Sequence, residues 1–478
     1  MHELNLVLGI IYYIFVVLTV GHVVMDNRQP AKTMAWALVI LFVPVAGIIL
    51  YLFFGVNTRK ERLVGKRSLD ELSRRSMLSF VGQQNLQLPE DLKPVIDLFI
   101  NQSFSLPFKD NEVEIYTDGY QFFPALLSAI SHARNHIHID MYIFEEDPLG
   151  NLVADALVQK AREGVEIRVI YDDVGCWRVR HRFFERLREE GIEVVPFLPV
   201  RFPSFTSKVN YRNHRKLVII DGVLGFVGGM NIALRYVKGV PKKGNAVWRD
   251  TMVRVTGSGV YTLQRAFLID WYFVDRTLLS DQRYYPENSG LVLKDSGLLQ
   301  TVTSGPDSPY PDIMQGYVRI LMNAKDYVYI ETPYFLPTEP VLFALKTAAV
   351  AGVDVRILVP ERNDSWFTDW ASRSYLREAV EAGVKVSLYT AGFLHSKLLV
   401  CDDKISTCGS TNLDFRSFEN NFEANTFFYG ADVVGRMKQI FIDDESRSVL
   451  LSSVPERARP RFAVRLWESL VRLLSPLM

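Results

Sequence analysis

The chain has 478 residues, with 54 Lys and Arg balanced by 54 Asp and Glu, so its formal net charge is zero. That length can bury a large core, and the absence of a net basic charge argues against a nucleic-acid binder, which usually carries a positive face. Three cysteines, Cys176, Cys401 and Cys408, are odd in number and lack metal-ligand spacing; they read as unpaired thiols of a reducing compartment.

Two apolar stretches open the chain, about Leu4 to Met25 and about Met34 to Phe54. Each holds about 21 residues, which at ~1.5 Å per residue gives ~31 Å, enough to cross hydrocarbon. Asp26 to Lys32, with Arg28 and Pro30, reads as a short polar hairpin between them. The first stretch lacks a basic n-region and an A-x-A site, so it is not read as a cleaved signal. Pro44 and Gly47 inside the second are tolerable in a membrane helix. Arg59, Lys60, Arg62, Lys66 and Arg67 follow the second stretch and outnumber Arg28 and Lys32 in the hairpin. The positive-inside rule then places both ends, and the large C-terminal part, in the cytoplasm. The expected organisation is a two-helix transmembrane hairpin over 1–58, a connector over 59–110, two α/β lobes over 110–290 and 291–452, and an amphipathic C-terminal helix over 453–478.

The lobes are a duplication. Ala161 to Ile170 (AREGVEIRVI) matches Ala349 to Leu358 (AVAGVDVRIL), each a helix end, a Gly turn and a strand. Arg188 to Val194 echoes Glu381 to Val386 in the same way, and His136 to Ile143 parallels Tyr327 to Tyr334 as a strand before a helix. Strand and helix alternate, so each half is expected to be α/β with a largely parallel or mixed sheet.

The strongest signal is a spacing, His-x-Lys-x4-Asp, that occurs twice: His214, Lys216, Asp221 and His395, Lys397, Asp402. An Asn follows each His at the same distance, Asn231 in VGGMN and Asn412 in CGSTN. Side chains at i and i+2 of a strand share a face, so each His and its Lys would enter one pocket while Arg215 and Ser396 turn away. The apolar runs Leu217 to Ile220 and Leu398 to Cys401 read as buried strands. One neutral imidazole can attack phosphorus and form a phospho-histidine; a second, protonated, can release the leaving group. Two Lys and two Asn supply donors for the phosphoryl oxygens, where charge builds. Asp221 and Asp402, at the far ends of the strands, are expected to hold the motif turns. Asp250 (in WRD) and Glu423 (in NNFEAN), which follow the Asn in each half, are the candidates to fix the ring tautomers.

These motifs resemble the phospholipase D superfamily, whose two His-x-Lys-x4-Asp…Gly-Ser-x-Asn motifs meet at one active site. Stretches such as YRNHRKLVIIDG, FVGGMNI, ETPYFLP and HSKLLVCDD are similar to the membrane-bound bacterial cardiolipin synthases of that superfamily, and the likeness covers nearly the whole chain. The first half departs from the pattern: Gly228-Gly229-Met230-Asn231 has no counterpart of the Ser410 hydroxyl. The resemblance implies two phospholipase D-like lobes sharing one cleft, with His214 as nucleophile and His395 as acid and base. It also implies transfer of a phosphatidyl group from one phosphatidylglycerol to another, giving cardiolipin and glycerol. Residue types alone give only phosphatidyl transfer. Hydrolysis to phosphatidic acid by the same residues, a membrane-tethered nuclease and a non-catalytic lipid-binding scaffold are the alternatives. No GxGxxG, Walker loop or zinc motif is present, so no nucleotide or metal cofactor is expected.

The tail, Arg461 to Leu474, sets Arg461, Arg465, Glu468 and Arg472 against Leu466, Trp467, Leu470, Leu473 and Leu474. It reads either as a basic interfacial helix with a Trp anchor or as a helix packed on the protein or on a partner subunit. Val200 to Phe205 and Ser365 to Trp370 are apolar patches that could admit acyl chains or pack as ordinary loops. Membrane phospholipids are the expected partners; nothing in the sequence fixes a homo-oligomer.

Overall fold

The computed structural model describes residues 2–26, 30–55, 88–200, 210–239, 247–286, 293 and 297–475. The basic run that carried the orientation argument (residues 59–67), most of the connector and the patch from residue 201 to 205 lie outside the described residues.

The N-terminal end is helical: α1 (His2–Asp26), α2 (Pro30–Phe42) and α3 (Pro44–Phe54). The second apolar stretch is therefore two helices in series. Val43, with φ −134° and ψ 65°, breaks it because it precedes Pro44, whose ring disfavours a helical residue before it. A thin seam of Val16, Val23, Ile40 and Tyr51 holds the hairpin, while Tyr13, Leu18, Met25 and Phe42 stand exposed. Among the described residues no helix is long and apolar enough to cross a membrane.

After α4 (Lys93–Ser103), the first lobe is built on β1 (Asn111–Tyr116), β2 (His136–Met141), β3 (Glu166–Asp172), β4 (Glu193–Phe197), β5 (Lys216–Ile220), β6 (Leu224–Gly228) and β8 (Met252–Gly257), with the short β7 (Trp248–Arg249) apart from them. Their order in the sheet is β1-β8-β6-β5-β2-β3-β4. The second lobe repeats the plan. Its sheet takes β9 (Leu298–Ser304), β10 (Tyr327–Glu331), β12 (Asp354–Pro360), β13 (Lys385–Tyr389), β15 (Leu398–Cys401), β16 (Ile405–Gly409), β18 (Glu423–Tyr429) and β19 (Ser448–Leu450) in the order β19-β13-β12-β10-β15-β16-β18-β9, with the two-residue strands β11 (Phe335–Leu336), β14 (Phe393–Leu394) and β17 (Leu413–Asp414) outside it. In each lobe the βαβ arm is parallel (β2-β3-β4; β10-β12-β13) and the motif arm antiparallel (β2-β5-β6-β8; β10-β15-β16-β18), so the sheets are mixed.

The repeats seen in sequence are one turn made four times. Helices Pro148–Arg162, His181–Glu189, Glu339–Val350 and Trp366–Glu381 each end at a glycine of positive φ: Gly164 (89°), Gly191 (84°), Gly352 (96°) and Gly383 (99°). The next amide reaches back into the helix, as in Val165 N to Lys160 O at 3.1 Å and Val353 N to Ala348 O at 3.1 Å. Only glycine enters that left-handed region at no steric cost, so the turn aims each helix back along its strand.

The lobes share a core. One apolar cluster runs from Leu217, Val253 and Trp271 of the first lobe to Leu398, Phe422 and Phe441 of the second, around the helices Val260–Asp275 and Ala431–Glu445. Separate clusters cover the outer face of each sheet.

Candidate active site

Two short backbone pairings cross between the lobes and set the site. β14 runs parallel to β7, with Leu394 opposite Arg249. Asn213 bridges in parallel to Phe422. The residue before each motif His thus lies beside the residue before a carboxylate of the other lobe. The His amides complete the ladder: His214 N donates to Phe422 O at 2.9 Å and His395 N to Arg249 O at 2.7 Å.

This register exchanges the acids. His214 Nδ1 lies 3.0 and 3.1 Å from the two carboxylate oxygens of Glu423, and His395 Nδ1 lies 2.7 Å from Asp250 Oδ2. A carboxylate can only accept, so Nδ1 of each ring carries the proton and Nε2 presents a lone pair. Neither Nε2 has a hydrogen-bond partner among the described residues, and both side chains keep a sliver of exposure, 11% for His214 and 7% for His395. Tyr142 stands edge-on to His214, and Trp248 leans on His395 with centroids 4.9 Å apart.

Lys216 and Lys397 are fully enclosed beside the rings. Lys216 Nζ donates to His214 O at 2.5 Å and lies over the Tyr142 ring. Lys397 Nζ binds His395 O and also sits 2.8 Å from His395 Nδ1. Each ring therefore feels both ammonium groups. Burial, opposed by Glu423 and reinforced by Lys216, brings His214 down to about 4. Burial and then Lys397 bring His395 down to about 3, against the pull of Asp250. Burial, against the attraction of Glu423, takes Lys216 down to about 7. For the two acids burial works upward, but Lys397 and His395 outweigh it at Asp250, and His214 and Lys216 outweigh it at Glu423, so both stay ionised below the usual range.

The missing serine of the first half has a steric explanation. Ser410 Oγ donates to Glu423, the longer acid. At the equivalent Gly229, a Cβ would stand 2.1 Å from Asp250 Oδ1. The shorter acid folds its carboxylate into the space a serine side chain would need, and its Oδ1 takes the Thr251 amide at 2.8 Å instead.

The motif Asn residues are buried nearby with unlike partners. Asn231 accepts from Ile143 N at 3.1 Å and donates to the Tyr236 hydroxyl at 3.0 Å. Asn412 keeps a buried Oδ1 without a hydrogen-bond partner among the described residues. Asp221 and Asp402 do not join the rings. Each sits in the left-handed region, at φ 54° and 53°, and takes three backbone amides at the start of a strand. Asp221 binds Arg134 N, Asn135 N and His136 N at 2.7–2.9 Å; Asp402 binds Lys325 N, Asp326 N and Tyr327 N at 2.8–2.9 Å. Both clamp the turn at the far end of a motif strand, five residues beyond the Lys and about 16 Å from it, apart from the rings.

Sequence reasoning missed a layer behind the rings. Arg215 pairs with Asp270 and donates Nε to Glu423 O at 3.1 Å. Asp140 lies beside them, accepts from Asn213 Nδ2 at 2.7 Å, and is raised well above its ordinary value by burial and then Asp270. In the second lobe the equivalent strand position is Glu331, raised to about 8 by burial and then Asp444, with Arg249 opposing. Arg249 pairs there with Asp444 at 2.6 Å and Glu331 at 3.8 Å. Aligning His136 to Ile143 with Tyr327 to Tyr334 already sets Asp140 against Glu331; an acid at matched strand centres was the available signal.

The family described as "Cardiolipin synthase, PLD-like domain" matches residues 126–245 and 317–444, and "Phospholipase_D-nuclease N-terminal" matches residues 9–55. The cardiolipin synthase of Oceanobacillus iheyensis is 38% identical over 486 residues, with 99% of each chain covered. The major cardiolipin synthase of Bacillus subtilis is 38% identical over 484 residues, again with 99% of each chain covered. Among solved structures, the phosphatidylserine synthase of Haemophilus influenzae shares the fold at TM-score 0.61 and 15% identity, covering 81% of this chain and 100% of that one.

Proposed function

This chain belongs to the PLD-like cardiolipin synthase family, and from that premise we propose that it joins two phosphatidylglycerol molecules into cardiolipin and glycerol through a phospho-histidine. The observation that carries the reading is the crossed pair of His–carboxylate dyads, each with a free Nε2, beside two enclosed lysines.

His214 Nε2 attacks phosphorus. The bond from phosphorus to the headgroup glycerol oxygen breaks, and that oxygen takes the proton of His395 Nε2. Glycerol leaves. A terminal hydroxyl of a second phosphatidylglycerol then gives its proton to His395 Nε2, its oxygen attacks phosphorus, the P–N bond breaks, and His214 is restored. His214 suits the nucleophilic role because Glu423 spans its Nδ1–H with both oxygens and stabilises the cationic ring that bonding to phosphorus creates. His395 suits the acid role because Lys397 at its Nδ1 makes the protonated ring a strong proton donor. In the free site both rings are neutral at pH 7; a bound phosphodiester anion is what admits a proton to the second. Lys216, Lys397 and the motif Asn residues face the charge that builds on the phosphoryl oxygens. One phosphodiester is exchanged for another, so no external energy source is required.

The N-terminal hairpin sits in the bilayer of the bacterial inner membrane in this reading, with the lobes on the cytoplasmic side. Its apolar exterior supports that placement, and α2 and α3 in series supply the second limb. The test is the purified full chain in detergent with labelled phosphatidylglycerol. Cardiolipin and glycerol are expected. Phosphatidic acid would make it a hydrolase, and no turnover would remove the reaction. Digestion under alkaline conditions, where phospho-histidine survives, places the label on the His214 peptide.

A further inference from the structure

The final helix, α16 (Phe462–Arg472; the short helix Pro455–Ala458 is α15), packs with its polarity reversed. Its inward side is Val464, Glu468, Val471 and Arg472. Glu468, 1% exposed, pairs with Arg377 of the helix Trp366–Glu381. Arg472 pairs with Glu378 of that helix at 2.7 Å and lies 3.9 Å above the Tyr375 ring. These pairs fix the rotation of α16 about its axis, so the apolar arc is held outward: Phe462, Leu466, Trp467, Leu470, Leu473 and Leu474 are all exposed, Phe462 by 81%. A helix that had merely found a place on the protein would bury that arc and wet its charges.

The charge around the arc says what covers it. From residue 457 to 475 the one acidic group, Glu468, is turned inward and paired, whereas Arg459, Arg461 and Arg465 are exposed. Arg461 and Arg465, one turn apart, border the arc. An apolar stripe with Trp among leucines, edged by arginines on long stems, is the composition that lies in a headgroup layer with its cations toward lipid phosphates. The exposed apolar hairpin at the other end of the chain is a second surface of the same kind.

We propose that the outward face of α16 docks on an anionic lipid bilayer, a second membrane contact that holds the lobes against the surface instead of leaving them on a single tether. It does not rest on the reaction assigned above, only on a bilayer being at hand.

Leu470→Cys in the full chain, labelled with a polarity-sensitive fluorophore, tests it. The native thiols are all buried, so the introduced one takes the label. Glu185→Cys, exposed on the helix His181–Glu189 of the first lobe, is the control. In phosphatidylglycerol vesicles carrying nitroxide-labelled acyl chains, quenching at Leu470→Cys is expected to exceed that at the control by about threefold or more. The excess should shrink in phosphatidylcholine vesicles and with Arg461→Glu and Arg465→Glu together. Quenching by aqueous iodide but not by lipid nitroxide overturns the proposal. So does shielding that grows with protein density without lipid quenching, which would mean a second copy covers the face. Equal thermal melting of labelled and unlabelled chains shows that the variant is folded, and cardiolipin formation, assayed separately, reports on the reaction alone.

Discussion

The two lobes share strand order, turns and motif, yet they divide the work unequally. Two buried guanidinium groups at the seam, Arg215 and Arg249, come from the first lobe; the second has Ser396 and Phe422 in those places. Of its own acids, Glu331 faces Arg249 from across the seam, and Asp444 is held between that same Arg249 and Arg447 of its own lobe. The rings differ to match: His214 has a carboxylate spanning its Nδ1, while His395 shares its Nδ1 between Asp250 and Lys397. A duplicated scaffold with exchanged partners can thus give two chemically similar imidazoles different duties.

The largest effect should come from the rings, and it should be asymmetric. Either His→Ala is expected to lower kcat by about 10^4-fold or more. With a p-nitrophenyl phosphatidyl ester, whose leaving group needs no proton, His395→Ala should still release one burst of nitrophenol while His214→Ala releases none. Equal bursts would erase the division of roles. Next is Arg249→Ala, which strands Glu331 and leaves Asp444 with Arg447 alone, and should cost about 3–5 kcal/mol in denaturant melts. Arg215→Ala strands Asp140 and Asp270 within one lobe and should cost a similar amount, so the contrast lies in which ring loses order, His395 for Arg249→Ala and His214 for Arg215→Ala, read by imidazole NMR.

The orienting acids come third. Asp250→Asn should slow turnover about 100-fold, less than loss of either His. Because each carboxylate draws its ring's pKa upward, Asp250→Asn should lower His395 further and leave His214 in place, and Glu423→Gln should do the reverse. An unchanged rate in Asp250→Asn would leave that residue a structural role.

For pH, kcat/KM of the free enzyme should fall on the acid side near pH 4, where His214 protonates. It should also fall above about pH 7 as Lys216 loses its charge. Stability follows the same rings. Both have folded values below the unfolded one of about 6.5. Above that pH they are neutral in both states and contribute nothing to the slope. As pH falls from about 6.5 toward 4 the unfolded chain takes up protons that the folded rings refuse, and the fold weakens. The smallest effect belongs to the clamps: Asp221→Ala leaves three amides unmet and should cost about 1–3 kcal/mol while the folded fraction keeps its kcat.

Much of this was legible in the sequence. Period and turn chemistry mark the repeat because Gly164, Gly191, Gly352 and Gly383 serve one local geometry. The motif names His214, Lys216, His395 and Lys397 because a strand fixes which neighbours share a face. Asp221 and Asp402 read as turn holders because a rigid strand separates them from the rings. What spacing along a chain does not encode is pairing across a seam. That Asp250 serves His395 and Glu423 serves His214 depends on the Leu394–Arg249 and Asn213–Phe422 registers, which are tertiary facts. The tail shows the same limit: its two-sided pattern is plain, but which side faces the protein was decided by Arg377 and Glu378, far away in sequence.

The backbone hydrogen bonds from His214 N to Phe422 O and from His395 N to Arg249 O are stitches between the halves, and each is made by one of the candidate catalytic residues. Prising the halves apart would unmoor both imidazoles together. A hinge that opened along that line would therefore dismantle the site it was meant to expose, so the seam is a poor place for a jaw.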